Sequence, residues 1–515
     1  MAKASQPTQP LRYVILPPRG LSPSDGPGMA ALGEALGVIG KAKKGQARGL
    51  GIAGDSAAAA GPTGVKLIDS IDDGAKLVEM SAAALMKLRA SQPGLRIVPE
   101  VFYKTMEYQP GLITRFKKKA RAIGLAAVST RITLTVRSKG LASPLAGVKI
   151  VAFTNYDARA GLDAITDKNG QATFDFGTAS KKLDRLYAFP ELGFWGALRI
   201  DMTIKDGTAL DLDPIDFAVD DCVRWAYGRA KRDEGQGVKV GVVDTGVDLK
   251  HPDLKVAGGL NAVAGEVDTD FGDNGAHHGT HVGGIIAARG AMPGVAPGVE
   301  LRSYRVFPKV IPGVDNQASN FAICKAIAQA VSDQCDLINL SLGGGDPDDA
   351  TRSAIADARA AGSLVIVAVG NDHRQPVSFP ANDPRSVAIA AMGRVGTFPA
   401  GSDAEGDILA PFGPTKATKA NFVAEFSNVG PEVDLIGPGV GVVSTMPGGY
   451  GIMSGTSMAC PAVTGAAARL LAGNPTVLAM PRDQARSDEI ARLLFQAAPL
   501  IGFGPNFEGH GLPQA

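Results

Sequence analysis

The sequence predicts an α/β protein: a doubly wound, parallel-sheet domain preceded by a smaller α+β unit and a small β-sandwich. Three observations predict it. Beyond residue 213, continuous apolar runs (Val238 to Val243, Leu337 to Leu342, Leu364 to Val369, Val387 to Met392) alternate with helical stretches at His278 to Arg289, Ser319 to Val331 and Asp348 to Ala361. Uninterrupted apolar strands suit a parallel sheet covered on both faces, and such sheets place their sites outside the carboxyl ends of the strands. Between 129 and 212, short strands and turn signals follow one another without helical spacing, as in a sandwich. Residues 11–105 mix the two patterns. With 515 residues the chain is long enough for about two to four domains, which accommodates this division.

The first unit, 11–105, opens on a short apolar strand, Leu11 to Pro17. Met29 to Ile39 carries helical spacing through Leu32, Leu36 and Ile39, and the Gly- and Ala-rich stretch Lys41 to Gly64 reads as a loop. Val65 to Ile71 and Ala75 to Met80 form a hairpin around Asp72-Asp73-Gly74, Ser81 caps a helix through Leu88, and Leu95 to Tyr103 is a last strand. The order β-α-β-β-α-β is the ferredoxin-like arrangement. Residues 106–128 follow as a linker whose basic cluster, Arg115 to Arg121, reads as a solvated, protease-sensitive charge run.

In 129–212 the predicted strands are Ile132 to Val136, Val148 to Phe153, Ala172 to Phe176 and Ala197 to Ile204, with a tight turn at Thr166 to Gly170. The segment Pro144 to Phe176 resembles transthyretin-like or carboxypeptidase-regulatory-like modules. Its Asp167 and Asn169 suit an ordinary turn better than a calcium site.

A net charge of +1 offers nothing to nucleic acid or to an anionic membrane, and no run is long enough for a transmembrane helix, so neither partner is expected. The polar first ten residues carry no leader pattern; the expected location is cytoplasmic, or outside by a route without the usual leader. Cys222, Cys324, Cys335 and Cys460 are scattered, without a CxxC pair, and read as reduced, buried thiols.

Candidate chemistry lies in the third unit, 213–515. Asp244 follows a strand, where a site residue or a plain turn residue belongs. His278 begins a helix within His277-His278-Gly279-Thr280-His281; the His277/His281 spacing lacks the HExxH glutamate, which disfavours a metal helix. Asn371 ends a strand after Gly370, where its amide can donate to an oxyanion or simply close a turn. Ser457 lies at the start of a helix closing near Gly473. There it caps the helix, or its hydroxyl attacks a carbonyl while its own N–H receives negative charge.

Together these stretches resemble the subtilisin-like serine peptidases. Val243-Asp244-Thr245-Gly246, His278-Gly279-Thr280-His281-Val282 and Gly455-Thr456-Ser457-Met458-Ala459-Cys460-Pro461 match the family's three signature blocks in its order. Asn339 to Gly344, Val369-Gly370-Asn371, Phe426 to Pro431, Ile436 to Val440 and Gly509 to Leu512 match further blocks, so the likeness covers about 215–515. The resemblance implies Ser457 as nucleophile, His278 as general base and then acid, Asp244 as its orienting partner, and Asn371 with the Ser457 N–H as oxyanion donors. It implies a peptide groove along Ser341, Leu342 and Gly343, and a first pocket walled by Ala368, Val369 and Gly370 with Ser378 at its floor. With no acid there, a small or apolar residue before the cut is expected. His281 is then a buried structural histidine.

The resemblance also recasts 11–105 as an inhibitory propeptide whose last strand enters the cleft, so that the segment from Pro99 to about Gln109 lies across Ser457 and is cut by it. No cofactor is required; structural calcium is possible at Asp268, Asp270 and Asp273, but they suit a solvated acidic loop better. The insertion 393–424 is expected to cover or reshape the groove. The expected partners are a peptide or protein substrate and the chain's own N-terminal unit. The leading function is a serine endopeptidase made as a self-inhibited precursor. The alternatives are a peptide ligase or macrocyclase on the same scaffold, and a binding protein acting through the β-sandwich.

Overall fold

The computed structural model describes residues 10–17, 64–72, 74–108, 110 and 131–515. The predicted helix at Met29 to Ile39, most of the loop that follows it, and the basic cluster at Arg115 to Arg121 lie outside the described residues.

Four strands, β1 (Leu11–Leu16), β2 (Val65–Ser70), β3 (Lys76–Met80) and β4 (Arg96–Pro99), form an antiparallel sheet in the order β2-β3-β1-β4. The helix Ala82–Ser91 packs on one face through Ala84 and Leu88, and the Ser81 hydroxyl accepts the Ala84 N–H as predicted. On the other face Val14, Leu16 and Leu77 meet Phe321, Cys324 and Ala350 of the third unit. The first and third units therefore pack directly together, although a second unit separates them in sequence.

The single strand expected over Leu95 to Tyr103 is instead two. After Pro99 and a last bond from Glu100 N to Arg12 O at 3.1 Å, the chain leaves the first sheet. It resumes as β5 (Phe102–Thr105) within the third unit. The linker boundary at 106 is corrected with it: Met106 to Tyr108 continue β5 through the cleft, with Met106 N donating to Ser341 O and Tyr108 N to Ser454 O.

The second unit holds seven strands: β6 (Arg131–Ser138), β7 (Lys149–Asn155), β8 (Ala160–Ile165), β9 (Gln171–Asp175), β10 (Ser180–Phe189), β11 (Ala197–Lys205) and β12 (Thr208–Leu212). They make sheets β11-β10-β7-β8 and β12-β6-β9 around Ile132, Leu134, Ile150, Phe174 and Leu186. The β6–β12 pair runs parallel, the other pairs antiparallel. The predicted turn forms, with Asp167 Oδ1 accepting the N–H groups of Asn169 and Gln171, each at 2.9 Å.

The third unit is built on one large sheet. Six strands, β13 (Lys239–Asp244), β14 (Val256–Asn261), β15 (Glu300–Arg305), β17 (Leu337–Leu340), β19 (Leu364–Ala368) and β20 (Val387–Arg394), run parallel in the order β14-β15-β13-β17-β19-β20. A further parallel strand, β23 (Leu435–Pro438), also pairs with β20. The insertion 393–424 adds the antiparallel edge strands β21 (Ile408–Phe412) and β22 (Asn421–Ala424), so the sheet is not wholly parallel. The insertion is also where the sandwich docks: Leu198 N and Arg199 Nη1 donate to Gly401 O at 3.0 and 2.6 Å. Two short strands, β16 (Ala318–Ser319) and β18 (Leu342–Gly343), flank the cleft. The predicted run Leu337 to Leu342 is interrupted at Ser341, between β17 and β18.

A buried ion pair fixes the last hairpin, β24 (Val442–Met446) and β25 (Gly449–Met453). Arg224 Nη1 lies 2.9 Å from Asp221 Oδ2, and the pair brackets Val443: its N–H donates to Asp221 and its carbonyl accepts from Arg224 Nη2. Neighbouring Val442 O contacts His281, so this pair anchors the backbone beneath the histidine helix. Arg224→Met is expected to leave Asp221 buried without its cation and to cost about 3–5 kcal/mol, read from the urea unfolding midpoint. A loss below about 1 kcal/mol would mean the pair contributes only what an exposed one does.

Candidate active site

Asp244 is the last residue of β13 and is wholly buried. Its Oδ1 accepts the Thr245 N–H at 2.7 Å and lies 2.7 Å from His278 Nδ1. The Thr245 hydroxyl in turn accepts the Gly279 N–H at 2.8 Å, so the strand end holds the first turn of the histidine helix. Burial, the largest single influence, pulls the His278 imidazole down. The charge and hydrogen bond of Asp244 more than reverse it, with help from Glu107 and Asp273, and the net shift is upward. His281 is the opposite case. Burial, then the neighbouring His278, pushes it down to about 3, and Nε2 meets Val442 O at 3.1 Å. It is a neutral residue inside the structure.

The helix carrying Ser457 is Thr456–Ala472, and its capping position is Gly455, not the serine. This overturns the capping reading of Ser457. Gly455 is required by a close approach: it has φ 152°, and a Cβ there would stand 2.5 Å from Met106 O. That carbonyl oxygen accepts two hydrogen bonds, from Ser457 N at 3.0 Å and from Asn371 Nδ2 at 2.6 Å. The Ser457 hydroxyl donates to Ser341 O at 3.0 Å, while His278 Nε2 is buried without a partner. The hydroxyl is therefore directed to Ser341 O and not hydrogen-bonded to the imidazole.

Sequence reasoning missed the residue that aims the amide. Thr456 N and Oγ1 donate to Asn371 Oδ1 at 3.0 and 2.9 Å, which leaves Nδ2 free to face Met106 O. The signal lies in the Gly-Thr-Ser block itself, where the threonine directly precedes the serine.

The segment in the cleft is an added strand. Phe102 and Tyr103 pair antiparallel with Ser319 and Ala318 of β16, and Lys104 and Thr105 with Gly343 and Leu342 of β18. Met106 and Tyr103 are each 1% exposed. A Cβ on Gly343 would stand 2.9 Å from the Met106 methyl, and one on Gly345 2.7 Å from the Tyr103 ring, so both side chains occupy space that glycines leave. Of the residues expected to line the groove, Ser341, Leu342 and Gly343 thus meet the segment directly. Ala368 ends β19, and Val369 O accepts from Ser378 N and from Ser378 Oγ at 2.8 Å, which ties Ser378 to the Ala368–Gly370 wall.

The acidic residues considered for calcium are engaged otherwise. Asp270 pairs with Lys309, Asp268 with Lys325, and Asp273 accepts from the Thr280 hydroxyl at 2.6 Å and contacts His277. These partners do not fit a calcium cradle, and among the described residues no group of three or more His, Cys, Asp or Glu is arranged to hold a metal ion. All four cysteines are free and buried. No helix among the described residues is long and apolar enough to cross a membrane.

The model of the subtilase family matches residues 235–511, which carry Asp244, His278, Asn371 and Ser457. The chain belongs to the subtilase family. Subtilisin NAT of Bacillus subtilis subsp. natto is 36% identical over 250 residues, 47% of this chain and 57% of that protein. Subtilisin of Bacillus pumilus is also 36% identical over 250 residues, covering 79% of its own length. An alkaline protease of Alkalihalobacillus alcalophilus is 30% identical over 380 residues, 69% of this chain and 90% of the relative. The match to subtilisin NAT spans less than two thirds of that protein.

In this subtilase the charge on Glu107 raises the His278 pKa. A raised imidazole pKa keeps the base protonated to higher pH, so removing the charge should move its titration to lower pH. In full-length Ser457→Ala protein, the His278 NMR resonance is expected to titrate above the ordinary pH 6.5. Adding Glu107→Gln should lower that midpoint; an unchanged or raised midpoint would contradict the assignment.

Proposed function

We infer that the chain is a serine endopeptidase synthesised with its inhibitor attached, and that Met106–Glu107 is the first bond it cuts. One observation carries this reading: Met106 O receives the Ser457 N–H and the Asn371 amide while the residues before it pair as a strand along β18. Those two donors sit where charge develops as a tetrahedral centre forms. In the proposed reaction Ser457 Oγ attacks the carbonyl carbon and His278 Nε2 takes the hydroxyl proton. Asp244 stabilises the resulting imidazolium through Nδ1. The C–N bond breaks, the Glu107 nitrogen leaves with the proton from His278, and water then releases Met106 from the serine by the same steps.

The sheet order β2-β3-β1-β4 supports a ferredoxin-like propeptide, and its packing on Phe321, Cys324 and Ala350 supports its role as a docked inhibitor. On the same reading Ala368, Val369, Gly370 and Ser378 belong to the pocket that receives Met106. An unbranched apolar side chain is then preferred before the cut, with an aromatic one three residues earlier where Tyr103 lies.

A fluorophosphonate probe and denatured casein test the reading. Wild-type protein should label at Ser457 and hydrolyse the casein; Ser457→Ala should do neither. Asn371→Ala should keep its fold and lose about 100- to 1,000-fold in turnover, a magnitude taken from this family and not obtained from the geometry. Joined or cyclised products in place of hydrolysis would favour the ligase alternative, and an unlabelled processed enzyme would overturn the peptidase reading.

A further inference from the structure

The β-sandwich has no part in the reaction described above, yet it touches the chain on the leaving side of the Met106–Glu107 bond. Tyr108, second after that bond, is held between two units. Its ring stacks on Phe426 at 4.7 Å and meets His373 edge-on at 5.5 Å, both from the third unit. It also lines a cavity with Phe189 of the sandwich, whose ring stacks on Tyr187 at 5.5 Å, next to Tyr156 and Arg185. These sandwich residues form one ordered group. Arg185 Nη1 donates to the Tyr187 hydroxyl at 3.0 Å, and its guanidinium lies 3.7 Å over the Tyr156 ring.

A second contact follows two residues on. Arg159, whose guanidinium also lies over the Tyr156 ring at 4.4 Å, donates from Nη1 to Pro110 O at 3.0 Å. A backbone carbonyl is common to any peptide, so this contact reads chain length and direction rather than side-chain identity. Beside Glu107, Tyr108 and Pro110 a cavity of about 290 Å³ remains, with Phe189 and Phe194 of the sandwich facing Met446 and Ile452. The cleft thus continues past the reacting bond into a seam between the two units, and the sandwich forms one wall of it.

We propose that the β-sandwich is a substrate-binding wall of the cleft. It selects peptides with an aromatic residue second after the cut, received beside Phe189, and with chain extending at least four residues past it, held by Arg159. Glu107 to Pro110 are the internal example of such a ligand. The inference rests on the peptidase reading, and it gives the inserted unit a role in specificity that a free-standing ligand module would not have.

The test uses processed wild-type enzyme and two substrates with the same Phe-Tyr-Lys-Thr-Met acyl side. One ends in a p-nitroanilide; the other is an internally quenched peptide continuing Glu-Tyr-Gln-Pro. Their kcat/KM ratio, extended over anilide, removes differences in folding and in the catalytic groups. Arg159→Ala is expected to lower the ratio about tenfold, the usual worth of a hydrogen bond from a charged donor. Tyr156→Ala should lower it comparably. In the wild type, replacing the substrate tyrosine by alanine should also lower it about tenfold, the combined worth of ring burial and stacking. Ratios unchanged in both variants, or a substrate alanine tolerated as well as tyrosine, would overturn the proposal while the peptidase reading stands. No hydrolysis of the anilide by the wild type would overturn both.

Discussion

The carbonyl of Met106 is the constraint to which the rest of this subtilase is fitted. Its oxygen accepts from the Ser457 N–H and from Asn371, and each donor is held in place by its surroundings. The helix end supplies the first. Thr456 turns the amide of the second, and Gly455 has no side chain because the carbonyl passes where one would stand. A strand pairing on both sides keeps residues 102–105 in line with that point. Binding energy gathered over the whole segment thus positions a single bond, which is how remote contacts become useful to a reaction.

Buried polarity follows the same economy of purpose. Two histidines one helical turn apart are driven in opposite directions because only one has a carboxylate. Asp244 keeps His278 able to carry charge in a site from which water is excluded, whereas His281 has backbone carbonyl contact alone and stays neutral. The Asp221–Arg224 pair lies wholly inside and is hydrogen-bonded to the backbone of β24, the strand under His281. A buried pair of this kind is poor evidence for net stability, but it fixes where a backbone segment sits.

The catalytic unit was the most legible part of the sequence. Its strands are covered on both faces, so they read as apolar runs. Its reactive residues sit at strand and helix ends, where short Gly-rich blocks mark them. The sandwich was less so: Ser180–Phe189 spans a full strand, but its Lys181, Lys182, Asp184 and Arg185 hide the alternation, and three of its seven strands went unpredicted. Leu95 to Tyr103 failed for another reason. Nothing local distinguishes a strand that changes sheets from one that continues, apart from Pro99. The linker boundary failed with it, since Met106 to Tyr108 acquire their order from the cleft and not from their own sequence. Tertiary context also decided Ser457, whose position suits a cap until Gly455 is seen to hold that place.

The bond proposed to be presented to Ser457 is Met106–Glu107, and the N-terminal sequence of the processed protein measures it directly. Wild type, expressed at 52.9 kDa and allowed to mature, should yield a new terminus beginning Glu107-Tyr108, while Ser457→Ala should stay uncut. A first cut elsewhere, or the same cut in Ser457→Ala, would contradict it.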